Sequence, residues 1–140
     1  MSEHPELDAR ILDDAADALI SSDRAGTIVR WNRASCALFG FSAQEALGQN
    51  LDLIIPEHLR AAHWKGFEAA MSSGTMKLAG RPTLTRALHK SGRKLYIEMT
   101  FALVRDAGGA VQGSVAMARD VTERVERERA AKAASPPRSS

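Results

Sequence analysis

The chain contains a single cysteine, Cys36, which excludes an internal disulfide and any multi-cysteine zinc site. Long apolar runs are missing too, and no stretch approaches the roughly 20 residues a bilayer-crossing helix needs. The opening MSEHPELDAR is polar and acidic, unlike a secretory signal. Neither sign of charge dominates: 19 Lys and Arg against 17 Asp and Glu leave a formal net charge of +2. No basic cluster interleaved with aromatics supplies the footprint of a nucleic-acid binder. Motifs of catalysis are also wanting. Gly108-Gly109 is not followed by the Lys-Ser/Thr of a phosphate loop, His58 and His63 are five apart rather than four, and H-E-x-x-H does not occur. These absences predict a cytoplasmic protein that is not an enzyme and has neither a membrane nor a nucleic acid as partner.

What is present is the mixture of one ordinary domain: 140 residues, 44% hydrophobic and 26% charged. Residues 1–8 read as a polar leader, 9–122 as the domain, 123–134 as a charged helical linker and 135–140 as a disordered tail. Ile11, Leu12, Ala15, Ala16 and Leu19 recur at helical spacing, so a helix from Ala9 to Ala18 runs into a strand at Leu19–Ser21. The turn Asp23–Gly26 returns the chain along Thr27–Trp31. Asn32 is placed to cap a helix that ends at Gly40, and Ser42-Ala43-Gln44-Glu45 has the spacing of a capping box. Pro56 suits the first turn of a longer helix, Glu57–Ser73, closed by Gly74. Period two then takes over. A strand from about Lys77 to His89 turns at Lys90-Ser91-Gly92, Leu95, Ile97, Met99, Phe101 and Leu103 alternate with polar residues, and Val111, Val115 and Met117 repeat the pattern after Asp106–Gly109. The segment after Asp120 is helix-prone, with Glu123 and Arg127 spaced for a surface ion pair. Strands, short helices, then three meandering strands give an α+β domain: a five-stranded antiparallel sheet with short helices on one face, an N-terminal helix and a short charged C-terminal helix.

Four stretches carry a resemblance. They are Asp23-x-x-Gly26-x-Ile28-x-x-Trp31-Asn32, Gly40-Phe41-Ser42-x-x-Glu45-Ala46-Leu47-Gly48, the turn Lys90-Ser91-Gly92, and Ala118-Arg119-Asp120-Val121-Thr122-Glu123. In this order and spacing they resemble a PAS domain over roughly residues 10–125. The resemblance implies a sensory or signalling module that binds small molecules or proteins. Flavin-binding light sensors of this fold carry a cysteine in the segment that here reads Asn50-Leu51-Asp52-Leu53-Ile54-Ile55-Pro56, which has none.

On the long helix, Leu59, His63, Phe67 and Ala70 fall on one apolar stripe, so His63 is expected to face inward and His58 to fall outside it. The run from Ile55 to Trp64, with Gly74, Gly80 and Gly92 following in register, resembles the haem-ligand helix of the FixL and direct-oxygen-sensor PAS proteins. That resemblance implies haem b with His63 as axial iron ligand and a diatomic gas (oxygen, carbon monoxide or nitric oxide) or redox state as input. A second ring nitrogen would be held by a carbonyl or carboxylate. Those sensors place an oxygen-binding arginine where this chain has Thr83, and a methionine where it has Arg81. Strand parity adds Leu78, Met99, Phe101 and Met117 as pocket walls, with Met99 also a candidate sixth ligand, while Trp64 caps the stripe. Two other readings stay open. One is a cofactor-free dimerisation and interaction module; the other is a pocket for a carboxylate or apolar metabolite, with Arg81 or Arg86 as anion partner. In each reading the expected partners are a second copy of the chain, as a homodimer packed through its N-terminal helices, and a kinase, regulator or chemoreceptor reached in trans from a stand-alone domain.

Overall fold

The structure is a computed structural model, described here for residues 3–76 and 80–134. Its elements are α1 (Pro5–Asp14), β1 (Ala18–Asp23), β2 (Ile28–Trp31), α2 (Arg33–Phe39), α3 (Ala43–Ala46), a short 3-10 helix (Leu51–Ile54), α4 (Glu57–Ser73), β3 (Thr83–Leu88), β4 (Lys94–Arg105), β5 (Val111–Asp120) and α5 (Thr122–Ala134). The strands form one antiparallel sheet in the order β2-β1-β5-β4-β3. This is the α+β architecture expected from the switch in hydrophobic period.

One face of the sheet makes the core. Ala18, Ile20, Ala87, Leu95, Ile97, Met99, Ala116 and Ala118 are buried there under Phe39 of α2, Ala46 of α3 and Leu51 and Ile54 of the 3-10 helix. Period-two alternation sends the intervening residues to the opposite face, so Leu84, Val104 and Met117 stand exposed.

Local chemistry sets the boundaries. Asn32 accepts from Ser35 N–H at the start of α2, and Gly40 ends that helix at φ +82°. Ser42 and Glu45 close the capping box on α3. Two boundaries differ from expectation. Helix α1 begins at Pro5, inside the segment read as a leader, because proline fits the first helical turn and Glu6 and Asp8 sit against the positive end of the helix dipole. Strand β3 begins at Thr83 rather than near Lys77, since Gly80 turns the chain at φ +72° and Pro82 has no N–H to give the ladder. Residues 77–79, Leu78 among them, lie outside the described residues, as does the tail at 135–140.

Helix α5 folds back on the outer side of β4. Thr122 and Val125 are buried, the Thr122 hydroxyl accepts from Tyr96 N–H at 2.9 Å, and the Arg129 guanidinium lies 4.9 Å from the Tyr96 ring centroid. Its i,i+4 ion pair is Arg124–Glu128 at 3.9 Å, and Glu123–Arg127 is not among the pairs of the described residues. Docking aims Arg124 at Glu98 on β4, 3.7 Å away, which sets which pairs can form. Among the described residues no helix is long and apolar enough to cross a membrane.

Candidate functional site: the His63 face of the long helix

Helix α4 turns the expected stripe toward the sheet. Leu59, His63 and Phe67 are half-buried and Ala70 is buried, whereas His58, Ala61, Ala62, Lys65 and Gly66 are exposed. The inward stripe is wider than the apolar spacing predicts, because Arg60, Trp64 and Met71 are also withdrawn from solvent. Trp64 therefore does more than cap: with Phe67 it packs against the core that holds Met99.

His63 sits among aromatic rings. Its imidazole meets the Trp64 indole edge to face at 4.7 Å between centroids and lies roughly parallel to the Phe67 ring at 5.9 Å. Trp64 and Phe67 meet edge to face at 5.2 Å. The indole N–H donates to Asp52 Oδ1 at 2.7 Å, and Asn50 fixes the 3-10 helix by accepting from Asp52 N–H. Arg60 completes the cluster by donating to the carbonyls of Ile55 at 3.0 Å and Asp52 at 3.3 Å.

The Nδ1 atom of His63 is buried and has no hydrogen-bond partner among the described residues. The carbonyl or carboxylate expected on the second ring nitrogen is thus absent from that atom. Burial holds the His63 pKa below its ordinary value, and the nearby Asp52 charge offsets part of that effect. The imidazole is therefore neutral at neutral pH, with an uncommitted lone pair or N–H. As pH falls below the ordinary histidine value, the unfolded chain takes up a proton that the folded chain resists, so stability is lost with acidification. Melting temperatures followed from pH 7 to pH 5 should fall more steeply for the native protein than for His63→Gln. Parallel curves would remove this linkage.

The other expected wall residues divide by face. Thr83 pairs with Met99 and shares its inward side; Thr83 is half-buried and Met99 buried. Phe101, two residues on, packs against the same core. Met117 is not a wall: it pairs with Thr100 and so points from the opposite face, 40% exposed. Arg81 precedes β3 and is exposed, as is Arg86 on the outer face beside Tyr96. Cys36 lies half-buried on α2 as a small apolar filler. His89, just past the end of β3, is half-buried and lays its ring over Gly40, where an added Cβ would come within 2.5 Å of it.

A family model described as the PAS fold matches residues 6–121. The chain belongs to the PAS family. Among curated proteins, an uncharacterized protein of Azorhizobium caulinodans is 34% identical over 121 residues, which is 86% of this chain and 16% of that one. The PAS domain therefore spans about a sixth of that relative. The crystal structure of the PAS domain of a protein from Colwellia psychrerythraea superposes with a TM-score of 0.74 at 23% identity, covering 86% of this chain and 99% of that one. An RNA-binding light-oxygen-voltage receptor is 28% identical with a TM-score of 0.70, covering 91% of this PAS domain and 36% of the receptor. PAS domains are sensory modules and typically not enzymes.

Haem ligation can be weighed against these residues. His63 fits the axial role, since a neutral imidazole with an unpartnered buried nitrogen is what iron takes. Leu59 and Phe67 of α4 and Met99 and Phe101 of β4 are withdrawn from solvent and supply the apolar side chains that haem walls need. Arg81 does not fit a distal donor, and the inward polar groups of β3 are the Thr83 and Thr85 hydroxyls.

Proposed function

We propose that this PAS domain is a sensory input module that binds haem b through His63, responds to a diatomic gas or to redox state, and passes the signal to a partner protein as a homodimer. The observation that carries the reading is the buried His63 Nδ1 without a partner, on the inward stripe of α4 and flanked by apolar and aromatic side chains. Bound haem would supply an iron with one coordination position open to oxygen, carbon monoxide or nitric oxide. The chain's own part is to present a neutral imidazole, to keep water off it with Phe67, Met99 and Phe101, and to offer the Thr83 hydroxyl on the sheet side. Because β4 and β5 are the central strands of a continuous ladder, a change at Met99 or Phe101 is passed across the sheet to the α5 docking site at Tyr96.

The test is an absorption spectrum of purified protein with and without added hemin. A Soret band is expected, and it should be lost in His63→Ala while far-ultraviolet circular dichroism is unchanged. Protein that stays colourless after hemin addition, or a band that survives the substitution, overturns the assignment.

One observation favours a second reading, a cofactor-free interaction module. Leu84, Val104 and Met117 leave apolar surface on the outer sheet face, and Leu7 and Ile11 of α1 are more than half exposed. A second copy of the chain would bury both.

A further inference from the structure

Trp64 is tied to two segments outside its own helix. Its indole N–H donates to Asp52 on the 3-10 helix at 2.7 Å. The far edge of the ring rests on the β1–β2 turn, where a Cβ added to Gly26 would lie 2.2 Å from Cη2 and 2.4 Å from Cζ3. Gly26, at φ +84°, thus leaves the indole a seat that any other residue would fill. Seated there, the ring meets His63 edge to face at 4.7 Å and takes up space beside the imidazole.

We infer that Trp64 is the access-controlling residue of the His63 site: seated on Gly26 and held by Asp52 it closes the site, and released from Asp52 it opens it. The inference rests on the reading of His63 as the ligand-binding group. The indole occupies space beside the imidazole that a planar ligand lying on the ring would need, and the side chain can swing about its own torsions while α4 stays in place.

The latch is built to release. Asp52 and Arg60 side chains are 39% and 38% exposed, so the carboxylate is reachable by water. The Arg60 guanidinium already lies 3.9 Å from Asp52 Oδ1, so the carboxylate freed by the indole has a cation waiting beside it. The indole N–H in turn gains water. Neither group is stranded without a partner in the open state, and the cost of opening is one charge-assisted hydrogen bond together with the packing of the indole on Gly26, Phe67 and the core.

The test uses the whole chain labelled with 5-fluorotryptophan, whose two fluorine signals belong to Trp31 and Trp64 and are assigned with Trp64→Phe. Without any ligand, Asp52→Ala should move the Trp64 signal toward that of solvent-exposed fluorotryptophan and leave the Trp31 signal in place, which also reports an intact core. Hemin uptake followed by stopped flow should be on the order of tenfold faster in Asp52→Ala, the factor one charge-assisted hydrogen bond implies, with the final Soret band unchanged. Trp64→Phe, which keeps a ring but lacks the donor, should likewise speed uptake. An unmoved Trp64 signal in Asp52→Ala, or uptake rates equal to those of the native protein, overturns the latch even if haem binds. A shifted Trp64 signal with no hemin uptake in any variant supports the latch and overturns the haem reading instead.

Discussion

Alanine in place of Asn32 is expected to lower the stability of the domain by about 3–5 kcal/mol, a large share of the 5–15 kcal/mol that holds an ordinary domain folded. The residue is 4% exposed and every polar atom of its side chain is used. Oδ1 accepts from the N–H groups of Leu19 at 2.9 Å and Ser35 at 3.0 Å and from the Ser35 hydroxyl at 2.9 Å. Nδ2 donates to the carbonyls of Leu12 at 2.9 Å and Asp17 at 3.0 Å. One amide therefore joins the C-terminal end of α1, the start of β1 and the cap of α2. Removing it leaves buried donors and acceptors unpaired at three places at once, and each such group costs roughly 1–3 kcal/mol. Asn32→Ser, which restores an acceptor for the helix cap alone, should fall between the two. Urea unfolding monitored by circular dichroism measures the series, and an Asn32→Ala loss below about 1 kcal/mol would show that Asn32 acts only as an ordinary helix cap.

Gly113→Ala is expected to be nearly as damaging, and for a steric reason. A Cβ at this position would lie 1.8 Å from the carbonyl oxygen of Ser22 and 3.0 Å from Asp23 Cα. These are backbone atoms, so no rotamer change relieves the clash, and β5 must part from β1 where Gly113 faces Asp23. The same shift disturbs the buried hydroxyl pair of Ser22 and Ser114, whose Oγ atoms are 2.8 Å apart. A loss of about 3 kcal/mol or more follows, at the upper end of overpacking effects. Gly66 supplies the contrast: it lies in the exposed interior of α4 with nothing within 4 Å of an added Cβ, so Gly66→Ala should raise stability by up to about 1 kcal/mol. Opposite signs for the two substitutions in thermal unfolding check the argument, and equal small effects would refute it.

Most of the scaffold is legible in the residues themselves. Capping chemistry is local, so Asn32, Ser42 with Glu45, and Gly40 and Gly74 announce helix ends from sequence alone. Alternation is local too, and it assigns Leu95, Ile97 and Met99 to one buried face. The inward stripe of α4 follows from the same kind of counting. What failed were inferences that reach between segments. Met117 alternates correctly with Val115, yet parity within a strand does not say which face is the core face; pairing with Thr100 puts Met117 outside. Arg81 falls inside the strand that the sequence pattern extends back to about Lys77, but Pro82 delays the start of β3 and leaves Arg81 exposed.

The succession of helices and strands, their caps, the PAS pattern and the inward placement of His63 are written in the chain, because each depends on residues within a few positions of one another. Packing in three dimensions is what bonds Trp64 to Asp52 and rests it on Gly26, lets Asn32 bind three elements together, and requires that Gly113 have no side chain. Those contacts join residues far apart in the chain, and no periodicity encodes them. They exist only once sheet pairing and helix packing have set the distances.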